Sequence, residues 1–138
     1  MTRARVQAAL AEAVVRALAQ GDVLALQPLV ASDVVDHSAQ PGQPAGWPGI
    51  RELAMTMCAA MPGSDVTVDV LTTAGDTVLA RAELTPVSLG STPGTTPATN
   101  SLIVVLVLRF VNDLLSDLWT SSDLSLDLRL QQPQRAAG

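Results

Sequence analysis

The chain has no Lys and no Tyr, and only one Cys, one His and one Phe among its 138 residues. Each shortage removes a class of function. A lone thiol, Cys58, forms no internal disulfide, and with His37 as the only imidazole there is no zinc-type cluster of Cys and His. Cys58 lies in a helical apolar stretch and reads as a core thiol rather than a nucleophile. All eight basic residues are Arg, the net charge is −5 and the pI is about 4.5. That leaves no cationic track for phosphates, so nucleic acid is not an expected partner. No stretch reaches the ~18 uninterrupted apolar residues that would read as a transmembrane helix. Neither a Gly-x-Gly-x-x-Gly nor a Gly-x-x-x-x-Gly-Lys run occurs, and no cofactor is expected. Residues 1–20 carry Glu12 and Arg16 within their apolar content and end without a cleavage-like site, so they do not read as a signal peptide. The cytoplasm is the expected compartment.

What the chain does have is apolar surface. It is 48% hydrophobic with a mean hydropathy of +0.33, rich for a small domain. Such an excess implies an apolar cavity, a sticky oligomer face, or both. The length fits one domain, expected over 1–131, followed by a flexible polar tail over 132–138.

Val6, Leu10, Val14 and Leu18 recur at spacing four and predict a helix over 4–19, ended by Gly21 as a left-handed cap. Asp22 caps a short second helix over 23–30, whose last turn Pro28 disturbs. Residues 33–37 are extended and 38–46 form a Pro/Gly loop. Pro48 opens a third helix over 49–60, with Ile50, Leu53, Met57 and Met61 inward. Alternation then predicts a strand around Val66, Val68 and Val70, a turn at Gly75-Asp76, and a partner strand over 77–85. Residues 86–99 read as a long loop or a degraded hairpin end, and long excursions of this kind are often functional. A final hairpin runs over 101–110 and 114–124 through a turn at Asn112-Asp113. Helices first and antiparallel strands after give an α+β fold, a curved sheet wrapped around about three N-terminal helices. The near-continuous apolar run 102–108 reads as a strand covered on both faces, by helices or a cavity on one side and a second subunit on the other. A homodimer is expected.

In the last strand, alternation puts Asp117, Trp119, Ser121 and Asp123 on one face. A carboxylate beside an indole on an apolar sheet suits a small acid/base enzyme: burial raises the acid's pKa and the ring holds a flat substrate. Asp117 and Asp123 can also be read as a carboxylate pair with split pKa values, which would suit epoxide opening or ether-ring closure. His37, next to Asp36, is a candidate proton carrier because imidazoles titrate near pH ~6.5. Arg81, two residues before Glu83, is a candidate for steadying an enolate. Asp69 faces away from the valines of its strand. Each of these also has a plain structural reading, as a cap, an exposed ion pair or a core ring.

Taken in order, the segments resemble a SnoaL-like polyketide cyclase, within the fold of nuclear transport factor 2 and ketosteroid isomerase. The matching pieces are Gln20-Gly-Asp22, Asp33-Val-Val-Asp-His37, Gly46-Trp-Pro-Gly-Ile-Arg51, Met61-Pro62, Gly75-Asp76-Thr-Val78 with Arg81, Leu108-Arg-Phe110, and Trp119 with Asp123. The resemblance implies a cone-shaped sheet enclosing an apolar cavity, a hydrophobic polyketide-like substrate, and cofactor-free ring closure by acid/base chemistry. It places Asp123 at the family's acid/base carboxylate and His37 at its Asp-His pair, and with Arg81, read from its own strand, these are the candidate catalytic residues. Trp119, Asp36, Asp69, Asp117, Trp47 and Met57 are the candidate pocket residues. Three stretches depart from the family pattern. The family's Gly-Thr-His-x-Gly segment is Thr85-Pro-Val-Ser-Leu-Gly90 here, Gly-Arg is Thr99-Asn100, and the Asp-Gly-Lys-Ile turn is Asn112-Asp-Leu-Leu115. A different acid partner, a different substrate and loss of activity are all open at this point. So are epoxide hydrolysis, pyran formation, cofactor-free hydroxylation and a non-catalytic binding or dimerisation module. Because there is no Tyr, a tyrosine-based oxyanion hole of the ketosteroid isomerase kind is excluded.

Overall fold

A computed structural model describes residues 2–86 and 101–122. Asp123, the 86–99 loop beyond Pro86 and the 132–138 tail lie outside the described residues. Helix α1 (Arg3–Gln20) is opened by Thr2, whose hydroxyl accepts from the Arg5 amide at 3.3 Å. It buries a stripe of Gln7, Ala11, Val14 and Leu18 and ends at Gly21, at φ 67. A Cβ at position 21 would lie 2.7 Å from the Cβ of Cys58, so Gly21 is what lets the end of α1 touch the segment that carries Cys58. Asp22 caps α2 (Val23–Leu26) through the Ala25 amide at 3.2 Å. The helix stops there, shorter than the periodicity predicts, because Pro28 supplies no N–H; a 3-10 turn (Gln27–Leu29) leads into β1 (Val30–Asp36). Helix α3 spans Trp47–Ala60, with Ile50 and Ala54 fully buried and Leu53, Met57 and Met61 packed on the core's edge.

The remaining elements are β2 (Asp65–Ala74), β3 (Thr77–Thr85), β4 (Leu102–Val111) and β5 (Leu114–Ser122). They form one sheet in the order β1-β5-β4-β3-β2, antiparallel except where β1 runs parallel to β5. Asn112 and Asp113 both take positive φ (52 and 62), the geometry of a two-residue hairpin turn that matches strand twist.

One face of the sheet is the core. Val78, Ala80, Ala82 and Leu84 of β3 and Leu106, Leu108 and Phe110 of β4 are sealed under α1 and α3. Each large side chain buried this way contributes roughly 1.5–3 kcal/mol. The opposite face carries Leu79, Arg81 and Glu83 of β3 and Val105, Val107 and Arg109 of β4. Among the described residues nothing covers it, and Val105 keeps 39% of its surface. The two-sided cover expected for β4 is therefore present on one side of a single chain.

The phase of β5 departs from simple alternation. Beyond the turn, Leu114 and Leu115 pair with Val111 and Phe110, but Arg109 then pairs with Asp117 and Ser116 is left over. This bulge reverses the phase of everything that follows. Leu115 and Leu118 both enter the core, while Asp117 and Trp119 turn to the outer face beside Arg109 and Val107.

A candidate acid–base site

His37 follows the end of β1, and its place is set by backbone and side-chain bonds to β5. Its amide donates to the Leu118 carbonyl at 2.8 Å, and the hydroxyl of Ser38 accepts from the Thr120 amide at 3.0 Å. Asp36 holds the loop that follows. Its Oδ1 accepts from the Ser38 amide at 3.0 Å, and its Oδ2 accepts from Nε2 of Gln43 at 2.8 Å. Asp36 is thus a loop anchor with both oxygens engaged.

The His37 ring lies flat on Trp119, with centroids 4.2 Å apart and planes 6° from parallel. Its Nε2 is 2.8 Å from Oδ1 of Asp117. An ionised carboxylate only accepts, so the ring donates from Nε2, and in the neutral ring the lone pair is left on Nδ1. Among the described residues no hydrogen-bond partner meets Nδ1. The side chain of Asp117 is only 18% exposed. Its other oxygen faces the Ser116 hydroxyl at 2.9 Å and Nη1 of Arg109 at 3.1 Å. The His37 hydrogen bond is the largest influence on Asp117; it outweighs desolvation and, with Ser116 and Arg109, holds the carboxyl below its ordinary range. Arg109 also donates from Nε to Oδ2 of Asp76 at 3.2 Å. Desolvation pushes Asp76 upward, but the bonds from Thr77 and Arg109 together prevail and lower it. Arg109, facing Asp117 and Asp76, is pushed further above its usual value.

The structure brings His37, Asp117 and Trp119 together and gives the other described candidates different surroundings, while Asp123 lies outside the described residues. Arg81 lies on the same outer face but across β4, 3.7 Å from both Asp69 and Glu83, in a cluster of its own. Trp47 and Met57 are half-buried on α3 and pack against the core. Asp117 and Trp119, expected to line a cavity under the helices, face away from them because of the bulge at Ser116. Among the described residues the partners of Asp117 are an imidazole, a hydroxyl and a guanidinium, and the expected carboxylate partner, Asp123, lies outside them. A pocket of about 570 Å³, open to one side, lies along β1 and the loop after it, between Val34, Val35, Asp36, Ala39, Pro44 and Ala45. Val35 pairs with Asp117, so the cavity reaches the strand position next to the cluster. Among the described residues no three His, Cys, Asp or Glu side chains converge as metal ligands.

The family model for SnoaL-like polyketide cyclases matches residues 8–129. The chain belongs to that family. Solved structures agree on the fold of this SnoaL-like protein. A proposed polyketide cyclase from Bacillus cereus ATCC 10987 is 19% identical, with a TM-score of 0.70 over 92% of this chain and 78% of the other. IdmH, a proposed polyketide cyclase from Streptomyces antibioticus, is 23% identical, with a TM-score of 0.64 over 86% and 93%. AclR, a proposed hydroxylase from Streptomyces galilaeus, is also 23% identical, with a TM-score of 0.60 over 91% and 96%. No curated protein matches the chain. Within this SnoaL-like protein, reading the sequence alone missed Arg109, Asp76 and Ser116. A two-residue turn by itself sets Arg109 opposite Ser116; only the bulge moves Asp117 into its reach.

Proposed function

We propose that this chain is a cofactor-independent enzyme that closes a ring in a polyketide-like substrate, with His37 as the proton-transfer group. The observation that carries the reading is the His37–Asp117 hydrogen bond, made by the chain's only histidine on a flat indole support. In this reading Nδ1 of His37 takes the acidic proton between two carbonyls, and the Asp117 carboxylate stabilises the imidazolium that forms. The enolate carbon then attacks a second carbonyl of the same chain, and the imidazolium returns the proton to the new alkoxide. The cavity along β1 has the size of a small-molecule site and holds the substrate over Val35. Asp123, the carboxylate implied by the family resemblance, serves as a second proton-transfer group.

Epoxide opening or ether-ring closure by paired carboxylates receives less support. Arg109 does bridge two carboxylates, Asp76 and Asp117, but both are lowered, so neither is an acid at neutral pH able to protonate a leaving oxygen. The uncovered outer face around Val105, which also carries Arg81 and Glu83, is the proposed seat of a second copy of the chain.

The test is turnover of a polycyclic β-keto ester able to close by intramolecular aldol addition. His37→Gln and Asp123→Asn are each expected to reduce turnover at least ~100-fold while folding persists, within the usual range for losing an acid/base group. Wild-type turnover in folded His37→Gln sinks the mechanism. If the substrate binds equally well to the wild type and both variants and none turns it over, the protein is a binding module.

A further inference from the structure

We propose that Arg109 and Asp76 are positioning residues for the His37–Asp117 pair, aligning the Asp117 carboxylate so that the imidazole keeps its proton on Nε2 and presents Nδ1. This inference rests on the acid/base reading of the pair given above.

A carboxylate turns easily about its last torsion, since that rotation is broad and roughly two-fold. For Asp117 to hold one oxygen on His37, something must occupy the other. Arg109 does so from directly across the hairpin, with Nη1 at 3.1 Å from Oδ2, and Oδ1 is left to His37 at 2.8 Å. Arg109 is then fixed from behind. Its Nε donates to Oδ2 of Asp76 at 3.2 Å, while Oδ1 of Asp76 accepts from the Thr77 hydroxyl at 3.2 Å. The β2–β3 turn that carries Asp76 is itself joined to β4, because the Phe110 amide donates to the Asp76 carbonyl at 2.9 Å. An isolated surface ion pair holds its geometry poorly. Here the guanidinium uses two different nitrogens on two carboxylates, and each carboxylate has a further partner. The chain of contacts runs from the β2–β3 turn through β4 and β5 to the end of β1. A guanidinium spans it with its planar fork, and an ammonium has no such fork.

The experiment uses the full chain labelled with ¹⁵N in histidine. With one histidine, the two ring nitrogens give a single pair of resonances whose positions report the tautomer. The neutral wild-type ring is expected to show a protonated Nε2 and a bare Nδ1. In Arg109→Gln, Arg109→Lys and Asp76→Asn the two resonances are expected to move toward each other as the tautomers mix, with Asp117→Asn as the limit. Turnover in Arg109→Gln is expected to fall about tenfold with KM little changed, the scale of a modest loss of alignment. Ring resonances at wild-type positions in Arg109→Gln and Asp76→Asn overturn the proposal, even if turnover falls. Asp76 sits in a turn, so its variant decides the matter if Arg109→Gln does not fold. Failure of the catalytic reading has a different signature: turnover that survives His37→Gln, whatever the ring nitrogens show.

Discussion

Replacing Asp117 with Asn keeps the shape and removes the charge that three neighbours use. Asp117 accepts from His37, Ser116 and Arg109 at 2.8, 2.9 and 3.1 Å, and its side chain is largely covered. Bonds of this kind to a charged group are worth about 1.5–3 kcal/mol each when well buried. His37 and Arg109 are 37% and 46% exposed, and solvent screens them, so the total expected loss is about 1–2 kcal/mol. For a chain of this length that corresponds to a fall in Tm of about 3–8 °C at neutral pH. The pH dependence fixes the cause. The folded pKa of Asp117 lies below its ordinary value, so ionisation favours the folded state. That contribution is complete above the unfolded value of about 3.9 and is lost as pH falls through the lower folded value. Urea unfolding of wild type and Asp117→Asn should therefore diverge at pH 6 and converge as the solution is acidified through the lower folded value. A gap at pH 6 of less than ~0.3 kcal/mol, or one of unchanged size at pH 2.5, would refute the assignment.

Two further substitutions probe the surroundings of the site. Gly46 sits at φ 69, ψ −154, and a Cβ there would lie 2.7 Å from the Ser32 carbonyl oxygen. Gly46→Ala should cost about 2–3 kcal/mol, seen as a lower urea midpoint with unchanged slope, and a midpoint within error of wild type would refute the strain. Val105→Asp puts a carboxylate on the uncovered outer face, directly opposite Arg81. A dimer seated there should dissociate to monomer in sedimentation, and a wild-type sedimentation profile would place the partner elsewhere.

Most of the fold was legible because its signals are local. The partner strand over 77–85 alternates cleanly, and β3 has those bounds. Gly21, Pro28 and the Asn112-Asp113 turn act through the backbone of one or two residues, and each does what its chemistry predicts. The pair of Asp36 and His37 was singled out, but their separate tasks, one anchoring a loop and the other meeting Asp117, depend on which face of β1 each side chain takes. The direction of the site was harder to read. Alternation put Asp117 and Trp119 on a common face but did not say which, because a strand's face depends on every residue between it and the turn.

The missing signal lies in the leucines. Leu115 and Leu118 are three apart, and both are fully buried. Strict alternation cannot put two such positions on one face, whereas one extra residue between them can. Ser116 is that residue, and its hydroxyl lies within reach of both the Arg109 carbonyl, at 3.2 Å, and the Asp117 carboxylate. Deleting Ser116 should therefore remove the extra residue and leave the rest in place. Asp117 then follows Leu115 directly and still falls opposite Arg109, with Leu118 opposite Leu108 and Trp119 opposite Val107. The variant is expected to fold with the His37–Trp119 stack retained, losing only what the Ser116 hydroxyl supplies to Asp117 and the Arg109 carbonyl, about 0.5–1.5 kcal/mol. Urea unfolding and the histidine ring resonances read the outcome. A variant that no longer unfolds cooperatively, or whose ring tautomers mix as in Asp117→Asn, would show that the bulge does more than carry one extra residue.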